Sequence, residues 1–189
     1  MCGRARLSSD VSEIKLVFRI PSERTTPNFS PSWNVAPTDP LPIVRYDAKD
    51  HQRSLDIMRW GLVPFWAKDI KVGFANINAK AEGIENKPAF REAFQRRRCL
   101  VPVDNFYEWK KTGTGKQPYA VALADRGLMA LAGLWENWRS PAGDGCAASR
   151  SSPRGRTSYA QSCTIACQWF SLGTTGRRGS GRSPQPHRS

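Results

Sequence analysis

Arg98-Cys99-Leu100-Val101-Pro102-Val103-Asp104-Asn105-Phe106-Tyr107-Glu108-Trp109-Lys110 decides the fold class. Cys99–Val103 is a short apolar run, and Phe106–Lys110 is aromatic-rich and equally short. Both are too brief for a buried helix and read as strands. Downstream, Thr112-Gly113-Thr114-Gly115 supplies a turn, and Tyr119–Leu123 and Leu128–Trp135 read as two more strands. Upstream, Pro88–Gln95 reads as a short helix with proline at an early position. Leu41–Tyr46 and Leu55–Trp60 read as strands flanking a polar turn that contains Asp47, Lys49 and Asp50. Pro21, Pro27, Pro31, Pro37 and Pro40 make residues 21–40 a long loop. Ser9-Asp10 precede an amphipathic helix over Val11–Phe18, with Glu13 in its first turn. No repeat is present. The expectation is a sheet-rich α+β single domain with a few short helices.

The chain has 189 residues, enough for one domain with a core. No apolar run is long enough to span a bilayer, so no membrane role is expected. Met1-Cys2-Gly3-Arg4-Ala5-Arg6 has charge but no apolar stretch behind it, unlike a secretory signal. A cytoplasmic chain with reduced cysteines is expected, five of them in all.

The net charge of +13 is unevenly spread. All 16 acidic residues lie at or before Asp144, whereas seven arginines follow it (150, 154, 156, 177, 178, 182 and 188). Of 29 Lys and Arg, 22 therefore remain in residues 1–144, where the net charge is +6. Residues 145–189 add the other +7 and are crowded with Ser and Gly. They hold Cys146, Cys163, Cys167, Trp169 and Phe170 without helical or strand periodicity. A disordered basic tail that binds nucleic acid is one reading. The favoured one is out-of-frame translation of a GC-rich gene: one permitted codon choice, shifted by a base from Asp144, reads W-L-R-S-F-A-I-V-T-T-G-P-N-E-L-C-A-E-L-H-N-R-M-P-V-V-L-A. The expected division is a truncated domain over 1–144 and an aberrant, disordered tail over 145–189. The Cys163/Cys167 spacing is unusual for zinc and no partner His or Cys pair is nearby, so neither a metal nor a cofactor is expected.

Removal of Met1 would leave Cys2 with an α-amine and a thiol on adjacent carbons. The amine has an ordinary pKa of about 7.7–8.0, so part of it is neutral and nucleophilic near pH 7. Such an amine condenses with an aldehyde to an imine, and the thiol can close onto the imine carbon as a thiazolidine. Taken alone, Cys2 is better read as a chance residue at a frayed terminus.

Its surroundings shift that balance. Cys2-Gly3-Arg4 is followed by Trp33-Asn34-Val35-Ala36-Pro37, then by Arg59-Trp60-Gly61-Leu62-Val63-Pro64-Phe65-Trp66. Asn76-Ile77-Asn78-Ala79-Lys80-Ala81-Glu82, Arg98-Cys99-Leu100-Val101-Pro102 and Phe106-Tyr107-Glu108-Trp109-Lys110 complete the set. In this order, over residues 2 to about 140, the chain resembles the SOS response-associated peptidase (SRAP) family of abasic-site processing proteins. The resemblance implies that Cys2 crosslinks to the ring-opened sugar aldehyde of an abasic site in single-stranded DNA. It implies that Asn78, where the family has N-A-R and this chain N-A-K, hydrogen-bonds near Cys2. Glu108 would act as general acid and base around imine formation and ring closure. Hydrolase or peptidase activity, with Cys2 as N-terminal nucleophile, is the alternative enzymatic reading. A non-catalytic basic nucleic-acid binder is the third.

For DNA, the resemblance implies phosphate contacts at Arg4 and Lys80, the lysine keeping charge but losing bidentate geometry. Trp60, Pro64, Phe65 and Trp66 would offer flat apolar surface to bases flanking the lesion. Of the tryptophans, Trp60 and Trp109 are expected in the core and Trp66 at the surface. Asn34 is expected first to support the loop and second to support the site. Arg96-Arg97-Arg98 is expected to be a solvated helix end. A monomer is expected.

The family carries a histidine in an L-H-x-R-M-P segment, expected to assist proton transfer at the crosslink. This chain has His51, in a polar turn, and His187, near its end, and neither fits. The shifted frame supplies that segment. Two expectations follow: the strands after Trp135 are missing, leaving sheet edges uncovered, and release of a crosslink is slow or absent.

Overall fold

The computed structural model describes residues 3–140 and 159–167. Ten strands run in chain order: β1 Ala5–Leu7, β2 Ser32–Val35, β3 Pro40–Asp47, β4 Gln52–Trp60, β5 Asn78–Lys80, β6 Arg98–Val103, β7 Asn105–Thr112, β8 Gly115–Ala122, β9 Met129–Arg139 and β10 Tyr159–Cys167. Two α-helices, α1 Val11–Phe18 and α2 Arg91–Arg96, and two short 3-10 segments at Ile70–Asn76 and Ile84–Asn86 fill the connections. The sheet-rich α+β expectation holds.

Helix α1 has the expected bounds for a local reason. The Asp10 side chain accepts from the Glu13 N–H, and the helix ends where Arg19 turns left-handed with φ 51°. Its buried Ile14 and Phe18 pack with Leu7, Ile20, Val44, Leu55 and Leu128.

Six strands order as β4-β3-β6-β9-β10-β5, and β10 also pairs in parallel with β4 at Ser162↔Arg59 and Cys163↔Trp60. That last pairing rolls the sheet into a barrel-like core. The other sheet orders β2-β1-β7-β8. It shares a core with the barrel, because Ala5 and Val35 pack in one cluster with Ile43, Met58, Trp60, Val101, Cys163 and Ile165. Phe106 and Ile77 press against that cluster.

Strand β10 corrects an expectation. The sheet does not end after Trp135: Tyr159–Cys167 pairs with β9 from Tyr159↔Arg139 to Ile165↔Gly133 and lies between β9 and β5. Ser162, Cys163, Thr164 and Ile165 are all buried there, because β10 has paired strands on both sides. The remaining residues of 145–189 lie outside the described set.

Candidate functional site

Strand β1 is the inner strand that the chain start enters. Ala5 pairs with Val35 on one side and Phe106 on the other. The Tyr107 N–H donates to the Arg4 carbonyl at 2.9 Å, and the Asp104 N–H donates to the Arg6 carbonyl at 2.8 Å. Asp104 then grips the segment after β1 through its side chain. It accepts from the Ser8 N–H at 2.6 Å, the Ser8 hydroxyl at 2.7 Å and the Ser9 hydroxyl at 2.8 Å, with Arg6 Nε at 3.6 Å. Burial acts to raise its pKa, but these serine bonds and Arg6 outweigh burial and hold the carboxyl below the ordinary value.

Cys2 lies outside the described residues. Its sequence neighbour Arg4 donates from Nη1 to Asn34 Oδ1 at 3.1 Å. Asn34 thus lies in strand β2 rather than in a loop, with its side chain on Arg4. Arg6 lies over the Trp33 ring at 6.0 Å, and the Tyr107 hydroxyl donates to the Trp33 carbonyl at 3.1 Å. Arg6, Trp33, Tyr107 and Asp104 were not legible as site neighbours, because a three-residue β1 with one bulge leaves no periodic signal.

Asn78 and Glu108 come from different sheets. Asn78 stands in parallel register with Ile165, whose side chain is buried in the shared core. Register therefore turns Asn78 toward the face that meets the four-stranded sheet. Glu108 follows Phe106 by two residues, so it shares the face that Phe106 presses onto the same core. The Trp60 indole N–H donates to the Ile77 carbonyl at 2.8 Å, anchoring the residue before Asn78. Arg4, Asn78 and Glu108 are all held by interactions with their surroundings. Lys80, two residues on, is exposed.

Three expectations are corrected. Trp60 is fully buried and Pro64 nearly so, and neither can stack on a base. Pro64 is enclosed because the neighbouring Val63 N–H donates to the buried Ser162 hydroxyl at 2.8 Å, pulling this turn onto β10. Trp109, expected in the core, is 41% exposed because the outer half of the β7–β8 hairpin has nothing packed over it among the described residues. Phe65 and Trp66 are exposed as expected.

Burial pushes the Cys99 thiol up to about 12 and the Cys163 thiol well above its ordinary value. Both stay protonated and unreactive near neutral pH. Among the described residues no cluster of three or more His, Cys, Asp or Glu could hold a metal ion, and no helix is long and apolar enough to cross a membrane.

The fold and these positions define a two-sheet α+β domain in which three strands carrying polar candidates meet around one core. The family model for SOS response associated peptidase (SRAP) matches residues 1–167, and the chain belongs to that family. It is 40% identical over 145 residues to the abasic site processing protein YoqW of Bacillus subtilis, covering 76% of this chain and 64% of that protein. It is 32% identical over 143 residues to the abasic site processing protein HMCES of Gallus gallus, covering 61% of this chain and 43% of that one. The chain thus spans less than two thirds of the length of these relatives. Among solved structures, a protein from Bacteroides thetaiotaomicron matches with a TM-score of 0.69 at 21% identity, over 87% of this chain and 67% of that one. A protein from Bordetella bronchiseptica matches with a TM-score of 0.65 at 21% identity, over 87% and 71%.

Proposed function

We propose that this chain binds single-stranded DNA and captures abasic sites covalently through Cys2 after Met1 is removed. The supporting observation is the register that turns Asn78 and Glu108 toward one shared core, beside the strand that the chain start enters. The free amine of Cys2 adds to the sugar aldehyde, and the carbinolamine loses water to give an imine. The thiol then adds to the imine carbon and its proton passes to nitrogen, so one water leaves and nothing is oxidised. Glu108 moves the protons in both steps, and Asn78 orients the Cys2 end. Arg4 and Lys80 meet phosphates, and Trp66 meets a flanking base. Cys99 and Cys163, their thiols raised by burial, do not compete with Cys2 as thiolates.

The test is a denaturing gel of abasic single-stranded DNA with wild type and Cys2→Ala. A band resistant to denaturation with wild type alone supports the reading. No such band, or one that persists in Cys2→Ala, overturns it. Hydrolysis of a generic peptide dependent on Cys2 would favour the peptidase reading instead.

The lack of acidic residues after Asp144 is further read as a shift of reading frame, which removes the family's histidine. Supporting it, seven arginines and no acidic residue follow Asp144. Resequencing the gene across codon 144 tests this, and an intact frame there would sink it.

A further inference from the structure

Strands β3 and β6 pair at Val44↔Leu100, and no further ladder pair joins them toward Tyr46 and Arg98. A notch of about 340 Å³ opens between them, lined by Val44, Arg45, Tyr46, Arg53, Arg98 and Cys99. Register sets Arg53 directly opposite Tyr46 across β3–β4, while antiparallel continuation from Val44↔Leu100 brings Arg98 to the other flank. The outer rim is thus an aromatic ring between two arginines.

The charges of this rim are available. Arg45 is already neutralised: its Nε donates to Asp56 at 2.8 Å and its guanidinium covers the Trp135 ring at 4.4 Å. Among the described residues, Arg53 donates only to the neutral Phe18 carbonyl, at 2.7 Å. Arg98 is exposed and forms no ion pair with the described residues, in contrast to its neighbour Arg97, which is bound to Glu136. Among the described residues no carboxylate lines the notch. Tyr46 is 60% exposed, and its hydroxyl is held at 3.0 Å by His51 Nδ1, which steadies the ring. Two unneutralised guanidiniums beside a braced aromatic face suit a phosphodiester and the base attached to it.

We propose that this notch is a second contact for single-stranded DNA, with Arg53 and Arg98 on consecutive phosphates and Tyr46 under a base. The inference rests on the DNA reading above but uses none of its residues. Tyr46, Arg98 and Leu100 lie on the face of their strands that carries Val44 against helix α1, opposite the face whose Ile43 and Val101 share a core with Ile165, so the contact lies away from Asn78.

Binding of abasic single-stranded oligonucleotides, short and long, is measured for wild type, Arg53→Gln/Arg98→Gln and Tyr46→Ala, with thermal melts to verify folding. Losing two single-strand phosphate contacts lowers the slope of log affinity against log salt by about 1.4. Between about 50 and 200 mM salt, wild type then loses roughly sevenfold more affinity than the double variant. Tyr46→Ala weakens binding roughly fivefold or more without changing that slope. Both effects appear with the long oligonucleotide and not with the shortest one that crosslinks. Crosslinking at saturating DNA stays as in wild type. An unchanged slope in a folded double variant, with wild type binding DNA, overturns the proposal and leaves the DNA reading standing. Full competition by a mononucleotide overturns it in favour of a nucleotide pocket. Failure of wild type to bind any DNA overturns both.

Discussion

Arg97 Nη2 donates to Glu136 Oε2 at 2.8 Å, joining the end of α2 to the middle of β9. The Asn137 N–H donates to the other Glu136 oxygen at 2.9 Å, and the Arg97 carbonyl accepts from the Trp135 N–H at 2.9 Å. Burial raises the Glu136 pKa above its ordinary value despite these partners, so the carboxylate depends on its arginine. Arg97→Ala is expected to cost about 3 kcal/mol at neutral pH, because it leaves a buried charge unpaired. The sign with pH follows. A carboxyl whose folded pKa is raised holds more protons folded than unfolded, so stability falls as pH rises from its ordinary range through the raised value. The Arg97→Ala penalty therefore shrinks on acidification as Glu136 takes up a proton. Urea titrations at neutral pH and near pH 5 measure this, and a penalty that grows toward low pH contradicts it.

Asp104 gives the opposite sign. Its carboxyl sits below the ordinary value, so its contribution is present above the usual Asp pKa of about 3.9 and is lost as pH falls through the lowered one. Asp104→Asn keeps the shape but loses the charged acceptor for Ser8, Ser9 and Arg6, at about 2 kcal/mol. The difference from wild type should vanish in strong acid. Since Asp104 fixes the segment after β1, amide exchange at Ala5 and Arg6 should also accelerate, measurable by hydrogen exchange.

The elements legible in the sequence were those with a local cause. Asp10 caps α1 and the 112–115 turn closes β7–β8, so the bounds of α1 and β7 fell within a residue or two, while β8 starts four residues before the expected Tyr119 because the hairpin ladder runs up to the turn. Strands β1, β2 and β5 have three or four residues each and exist only through partners distant in sequence. Motif order brought out Asn78 and Glu108, but the face each presents depends on Ile165 and Phe106. Trp60 was correctly expected in the core and Trp109 was not. Both lie on strands rich in apolar residues, and only the tertiary cover over each strand separates them.

Gly61 and Gly73 approach back to back. A Cβ on Gly61 would stand 2.6 Å from the Gly73 carbonyl oxygen, and one on Gly73 would stand 2.7 Å from that of Gly61. Gly61 also has φ +120°, where an L side chain is strained. Gly61→Ala is expected to cost about 3 kcal/mol or more, through strain and a backbone shift together. The turn holding Phe65 and Trp66 should loosen with it. Thermal melts and exchange at residues 62–67 would check this; a neutral Gly61→Ala would show that the approach is not close in solution.

Thr164 is the reverse case, a residue whose replacement should help. Its hydroxyl is buried with no partner, while its methyl packs in the sheet. Thr164→Val keeps the shape and removes the unsatisfied group, for a gain of about 1 kcal/mol. A raised unfolding midpoint in urea with unchanged slope is the expected result. A loss of stability would mean that the hydroxyl finds a partner in solution.

Trp60 and Trp66 separate core from surface within one motif. Trp60 is fully buried and donates its indole N–H to Ile77, whereas Trp66 is 53% exposed. Trp60→Ala should cost about 3–5 kcal/mol and remove the anchor of the strand carrying Asn78. Trp66→Ala should change stability by no more than about 0.5 kcal/mol. On the proposed DNA reading its effect belongs to binding: loss of one stacked base is worth about 1–3 kcal/mol, so affinity for single-stranded DNA should fall roughly fivefold or more. Fluorescence anisotropy with a labelled oligonucleotide, on variants first checked by thermal melt, reads the two effects apart. Should Trp66→Ala bind as wild type does, Trp66 is not the proposed stacking surface, and the exposed Trp109 on β7 is the next ring to remove.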